Sequence, residues 1–142
     1  PAPTNRPAIT QIFDRRHTRA TTPFGIVASE AAYREGETWL GELLAYRRDT
    51  RDYVENYLAT HLPKIRLIKP DGTYLLWLDC RELEMSDAQL KHFFVHEAGV
   101  GMSPGILFGE GGSGFMRMNI AAPRHVIVAA LENIRKLERE AW

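Results

Sequence analysis

The segment Gly109–Arg124, GEGGSGFMRMNIAAPR, allows few structures. A glycine-rich turn leads into alternating side chains. Phe115, Arg117 and Asn119 fall on one face of a strand, and Met116, Met118 and Ile120 on the other. The Met/Ile face suits a core. The strand therefore belongs to a sheet packed on one side, and its other side carries a guanidinium away from the core. A planar guanidinium fork donates two parallel hydrogen bonds to a carboxylate or phosphate. Arg117 is thus a candidate anion receptor, with a structural ion pair or a solvated arginine as the competing accounts.

The rest of the chain supplies the partners of that strand. The pattern predicts a helix over Ala8–Thr18, after a frayed start at residues 1–6. Thr22-Pro23 reads as the N-cap and first position of a second helix, which ends near Gly36. A long helix follows from Glu37 to His61. Its apolar stripe is Leu40, Leu43, Leu44, Tyr53, Val54, Tyr57, Leu58 and Leu62. Pro63 stops it, and the charges Arg47, Arg48, Asp49, Arg51 and Asp52 read as a solvated face.

Ile65–Lys69 and Thr73–Asp79 form a hairpin about the turn Pro70-Asp71-Gly72. The second of these strands is apolar on both faces, hence central. Ser86 with Gln89 makes a capping box for a helix to about Glu97. Gly99 and Gly101 bracket a short extended piece, Ser103-Pro104-Gly105 reads as a turn, and Pro123 opens a last helix striped by Ile127, Leu131, Ile134 and Leu137. The expected fold is α+β: a small antiparallel or mixed sheet of roughly three to four strands with helices packed on one face.

Other motifs lack their required context. Gly109, Gly111 and Gly114 fit the dinucleotide fingerprint by letters, but a strand follows where a helix must open on the pyrophosphate. Those glycines read instead as giving a loop room to move near a ligand. His92 and His96 have metal-ligand spacing, yet position 93 is Phe and no third ligand is near apart from Glu97. His17, His61 and His125 have no evident partner. Ser103 lies outside a nucleophile elbow, and Cys80 ends an apolar strand as a buried thiol. No metal site and no catalytic residue is assigned within the chain.

Composition excludes several classes. With 18 basic and 18 acidic side chains, the net charge is zero. Electrostatics therefore give no argument for nucleic acid or an anionic membrane. No apolar run is long enough to span a bilayer and no signal peptide is recognisable. The one cysteine fits a reducing compartment, so a cytoplasmic location is expected.

Three segments, in order and at their spacing, carry a family resemblance: TTPFGIVASEAAYREGETWL (Thr21–Leu40), KPDGTYLLWLDC (Lys69–Cys80) and EAGVGMSPGILFGEGGSGFMRMNIAAPR (Glu97–Arg124). From about Ile9 to Leu137 the chain resembles the C-terminal small domain of the pyridoxal 5'-phosphate (PLP) dependent class I/II aminotransferases, nearest the cystathionine β-lyase (C–S lyase) branch. The resemblance implies that Arg117 grips the substrate α-carboxylate. Asn119 on the same face and Ser103, in the loop reaching Phe108, are weaker candidates for substrate binding.

In such enzymes a preceding large domain supplies the cofactor lysine, the phosphate cup, the ring-stacking aromatic and the carboxylate facing the pyridine nitrogen. Here Lys64, Lys69, Lys91 and Lys136 lie outside any serine-rich lysine motif, and the chain opens with Pro1. The expectation is a fragment. Residues 1–35 would link to the absent large domain, and 36–142 would be the small domain, binding no PLP by itself. The parent would be a C–S β-lyase or an aminotransferase, a homodimer using PLP on amino acids. The fragment alone would be inactive and prone to self-association. A non-catalytic small-molecule-binding or dimerisation module is the alternative.

Overall fold

The structure, a computed structural model, describes residues 5–15 and 22–141. The helices are α1 (Arg6–Arg15), α2 (Pro23–Glu35), α3 (Glu37–His61), α4 (Asp87–Lys91) and α5 (Arg124–Ala141). The strands are β1 (Arg66–Ile68), β2 (Leu75–Asp79), β3 (Ser103–Pro104) and β4 (Phe115–Asn119). The end of the first predicted helix, Arg16–Thr18, lies outside the described residues, as do the first four of the chain. Two compact units divide within α3, the first ending at Glu42 and the second beginning at Leu43.

In the first unit, Thr22 caps α2 as its sequence requires. Its Oγ1 accepts from the Gly25 N–H at 3.1 Å, and Pro23 takes the first turn, where a missing N–H costs nothing. No residue of α1 or α2 is buried. Phe24, Tyr33 and Trp39 are 88%, 94% and 66% exposed.

The second unit is the α+β body. Its four strands run in the order β1-β2-β4-β3, every pair antiparallel. The strand predicted central, β2, is central, and β4 lies beside it. Leu76 and Leu78 from β2 and Met116 and Met118 from β4 face inward, all 3% exposed or less. They meet Val54, Tyr57 and Leu58 of α3, Leu90 of α4, and Ile127, Leu131 and Ile134 of α5 in one core cluster. Only the C-terminal half of the α3 stripe is covered: Val54 is 0% exposed, whereas Leu40 and Leu44 are 48% and 40%.

Polar groups tie the helices over this core. The Tyr57 hydroxyl donates to Glu132 Oε1 at 2.6 Å. Burial first, and the Glu132 carboxylate second, push that phenol up to about 12. Arg124 Nε donates to the buried Thr50 hydroxyl at 3.1 Å, so α3 and α5 are joined at both ends of their contact.

Two segments differ from the sequence expectation. Ser103 and Pro104 form an edge strand rather than a turn. Proline is tolerated at an edge because no ladder partner is waiting for its absent N–H. The helix after the Ser86–Gln89 capping box, which is present as expected, widens into a π-helical turn at His92–Glu97. The Ala98 N–H reaches back to Phe93 O at 2.9 Å. Adjacent Phe93 and Phe94 are both buried, and the wider turn lets both rings point inward.

Leu131 is fully buried at the centre of the cluster. Leu131→Ala should lower the unfolding free energy by about 3 kcal/mol, through lost transfer energy and a residual cavity. Urea denaturation measures it. A loss below about 1 kcal/mol would mean that α5 does not seat on this sheet.

Candidate functional site

The strand register that buries Met116 and Met118 aims Arg117 at the open face of the sheet. Arg117 lies directly across from Trp77 on β2 and from Ser103 on β3. Residues directly opposite in an antiparallel pair share a face, so three strands deliver side chains to one spot. Arg117 Nη2 donates to Ser103 Oγ at 3.3 Å. The Phe108 ring lies 4.5 Å below the guanidinium carbon. A ladder of rings continues along the face: Phe108 meets Trp77 edge-on at 5.7 Å, Trp77 stacks on Phe115 at 5.8 Å, and Phe115 carries the Arg81 guanidinium at 4.9 Å.

Arg117 is half-buried, and no carboxylate among the described residues pairs with it. One face is covered by Phe108 and one nitrogen is steadied by Ser103. The remaining donors are not committed. This is a guanidinium oriented by neutral neighbours, with its charge unneutralised.

The ion pair that could have claimed Arg117 forms at the other end of the same face. Asp79 lies opposite Phe115 and Arg66, and its side chain is 3% exposed. Arg81 reaches it twice, Nε to Oδ1 at 2.9 Å and Nη2 to Oδ2 at 2.7 Å. Arg66 Nη2 adds a contact at 3.1 Å. The Arg81 hydrogen bonds, against the opposing cost of burial, hold the Asp79 carboxyl well below the usual carboxylate range. Sequence reading did not single out Asp79, Arg81, Trp77 or Phe108. For Trp77 the available signal was the both-faced apolar pattern of β2, which requires a large ring on the face away from the core.

Two glycines near the site, Gly105 and Gly112, are required by close backbone packing, whereas Gly109 and Gly111 face open space. A Cβ on Gly105 would lie 2.3 Å from Gly112 O, and one on Gly112 would lie 2.1 Å from Gly105 O. The two backbone segments touch where no other residue fits. Asp87 anchors the end of the loop, accepting from Ser113 Oγ and from the Gly114 N–H at 2.9 Å each. Phe108 ends the short helical turn that begins at Gly105.

The other expected residues are placed elsewhere. Asn119 shares the open face, and its Oδ1 accepts the Ala121 N–H at 2.8 Å, shaping the turn into α5. His92 and His96 are exposed neighbours with ring centroids 5.4 Å apart, and His92 Nε2 sits 3.3 Å from Glu97. Among the described residues, no group of three His, Cys, Asp or Glu side chains could hold a metal ion. Cys80 is fully buried, and burial pushes its thiol up to about 12. A thiolate nucleophile is therefore disfavoured there. No helix among the described residues is long and apolar enough to cross a membrane.

No protein-family model matches the chain. It is 38% identical over 112 residues to the cystathionine β-lyase PatB of Bacillus subtilis, covering 79% of this chain and 29% of that protein. It is 34% identical over 91 residues to an aspartate aminotransferase of Musicola paradisiaca, covering 63% of this chain and 22% of that protein. Among solved structures, the fold matches cystalysin from Treponema denticola, which contains PLP, with a TM-score of 0.86 and 31% identity over 99% of this chain and 36% of that one. The chain thus spans about a third of the length of its relatives. The resemblance read from the sequence is borne out: the chain corresponds to the C-terminal small domain of PLP-dependent class I/II aminotransferases, on the cystathionine β-lyase side. PLP is the cofactor of the full-length family.

The Asp79 pair makes stability depend on pH. A carboxylate depressed in the folded state stabilises above its unfolded value, about 3.9, and loses that contribution as pH falls towards the folded value. Asp79→Asn should therefore destabilise by about 1–3 kcal/mol at pH 7. The gap from the native chain should shrink steadily below about pH 4. Urea titrations between those conditions test this, and a gap that persists at low pH would show that ionisation of Asp79 is not its source.

Proposed function

We propose that this chain anchors the substrate in a PLP-dependent enzyme acting on amino acids, a C–S β-lyase of the cystathionine β-lyase type, with an aminotransferase as the sister activity. The carrying observation is Arg117, half-buried, steadied by Ser103 and Phe108, and without a carboxylate partner among the described residues. The open face around it offers a guanidinium, a hydroxyl and aromatic rings, but no amine. Those groups fit the carboxylate end of an amino acid, not covalent attachment of the cofactor. Residues 1–35 would link to a preceding large domain that holds PLP, and 36–142 would be the small domain.

When bound, PLP supplies the electron sink for charge developing at the substrate α-carbon. Arg117 takes the α-carboxylate in a two-point grip and so fixes rotation about the substrate backbone. That fixed rotation decides which α-bond stands in line for cleavage. Ser103 at Nη2 and the Phe108 ring beneath hold the fork before substrate arrives, which lowers the ordering cost of binding. Phe108 and Trp77 wall one side of the grip and reduce the access of water, strengthening the charge-assisted pair. On its own the chain would break no bond.

The exposed Phe24, Tyr33 and Trp39 favour a second role for the N-terminal unit, as a surface that a partner covers. Under that reading the chain is a non-catalytic binding or dimerisation module.

The longer protein, carrying the residues upstream of this chain, should absorb as a PLP enzyme and release pyruvate and ammonia from cystathionine. The chain alone should do neither. Turnover by the chain alone, or an inert longer protein, sinks the proposal. In the longer protein, Arg117→Ala should cost about 2–3 kcal/mol of transition-state binding, or roughly 30–150-fold in kcat/KM. Arg117→Lys should recover only part, because a point charge lacks the fork. An unchanged kcat/KM in Arg117→Ala would remove Arg117 from the site.

A further inference from the structure

We infer a second anion-binding site, independent of Arg117, in the cavity between α3 and the β1–β2 turn. The cavity measures about 440 Å³ and is lined by Arg47, Arg48 and Arg51 on one wall and by Asp71, Thr73 and Tyr74 on the other. Arg51 follows Arg47 by four residues and Arg48 by three, so it neighbours both on one side of α3.

Their charges are unequally neutralised. Arg51 is taken by its neighbour Asp52, at 2.8 Å from Nε and 2.7 Å from Nη2. Arg47 lies with its guanidinium carbon 4.6 Å from the Tyr74 ring centroid. That contact orients the guanidinium and leaves its charge in place. Neither Arg47 nor Arg48 makes an ion pair among the described residues. Asp71 is the one acidic group in the lining. Even with Asp71 and Asp52 counted against the three arginines, one positive charge remains.

The opposite wall is unusual. Thr73 has φ of +68°, a left-handed conformation that a β-branched residue rarely adopts. Such backbone persists where its surroundings impose it, and it clusters at ligand clamps. Thr73 Oγ1 accepts from the Leu75 N–H at 3.0 Å, which leaves its O–H proton to donate elsewhere. One oriented cation in Arg47, a second cation in Arg48, a hydroxyl proton on Thr73 and an open cavity are the parts of an oxyanion receptor. The ligand chemistry is a phosphate group or a carboxylate. The sequence pattern reads these arginines as a solvated face; Arg48 and turn residues 71–74 are exposed, and the cavity opens on that face.

The test is a titration of the isotopically labelled 142-residue chain with inorganic phosphate, with acetate and with chloride, at matched ionic strength. Amide signals of Gly72, Thr73 and Tyr74 and the arginine Nε–Hε signals report binding. Phosphate or acetate should give saturable shifts at these positions, and whichever binds more tightly identifies the group. Arg47→Gln with Arg48→Gln should weaken binding at least about tenfold. Arg117→Gln should leave it unchanged. Linear shifts, equal shifts with chloride, or shifts lost in Arg117→Gln would overturn the proposal. If the double variant misfolds, the native Arg47 and Arg48 Nε–Hε signals decide: absence of saturation there also overturns it.

Discussion

Everything at the candidate site depends on a sheet that is packed on one side only. Leu76, Leu78, Met116 and Met118 are buried almost completely, and burying four such side chains is worth several kcal/mol. Because side chains alternate strictly along a strand, that burial also decides what faces the other way. A slip of one residue would drive Arg117 and Trp77 into the core and expose the methionines. The core therefore enforces, at no separate cost, the register in which Trp77, Arg117 and Ser103 come side by side.

That open face carries three arginines with two different assignments. Arg66 and Arg81 serve Asp79, whose buried carboxylate would be costly if unpaired. Arg117 stands on the same face with neutral neighbours only. A guanidinium is tolerated half-buried over an aromatic ring because it is weakly hydrated and gains from the ring quadrupole. The ring ladder from Phe108 through Trp77 to Phe115 separates the two systems. Asp79 is satisfied by Arg81 and Arg66, so Arg117 is not required to neutralise it and its charge stays unpaired among the described residues.

Local rules explain what the sequence disclosed. Thr22-Pro23, the Ser86–Gln89 box, Pro63 and the two-residue period of β4 are each decided by neighbours along the chain, and each element stands where those residues predict it. The π-helical turn at His92–Glu97 and the edge strand at Ser103–Pro104 were not legible, because both are settled by packing across the sheet. The site was legible in part. Arg117 stood out as a cation in an apolar strand, whereas Asp79 was not singled out. Its partners Arg66 and Arg81 are local in the fold but unmarked by spacing. The contact of Gly112 with Gly105 was not legible, because it depends on a segment several residues upstream that periodicity cannot reveal.

The carboxylate grip proposed for Arg117 would select amino acids as a class without choosing among their reactions, because every α-amino acid presents the same carboxylate. Such a grip would act on reaction choice only through geometry, by fixing the angle at which the α-carbon meets whatever withdraws its electrons. That angle depends on how rigidly Arg117 is held. Three constraints hold it: the β4 register, the Ser103 hydroxyl and the Phe108 ring on a turn closed by glycine contact. Each lies within the second compact unit, so the guanidinium is positioned by this chain's own folding. Domain closure in a full enzyme would then need only to deliver the preformed fork to the substrate, and the binding energy gained there could favour the closed state without reordering the fork.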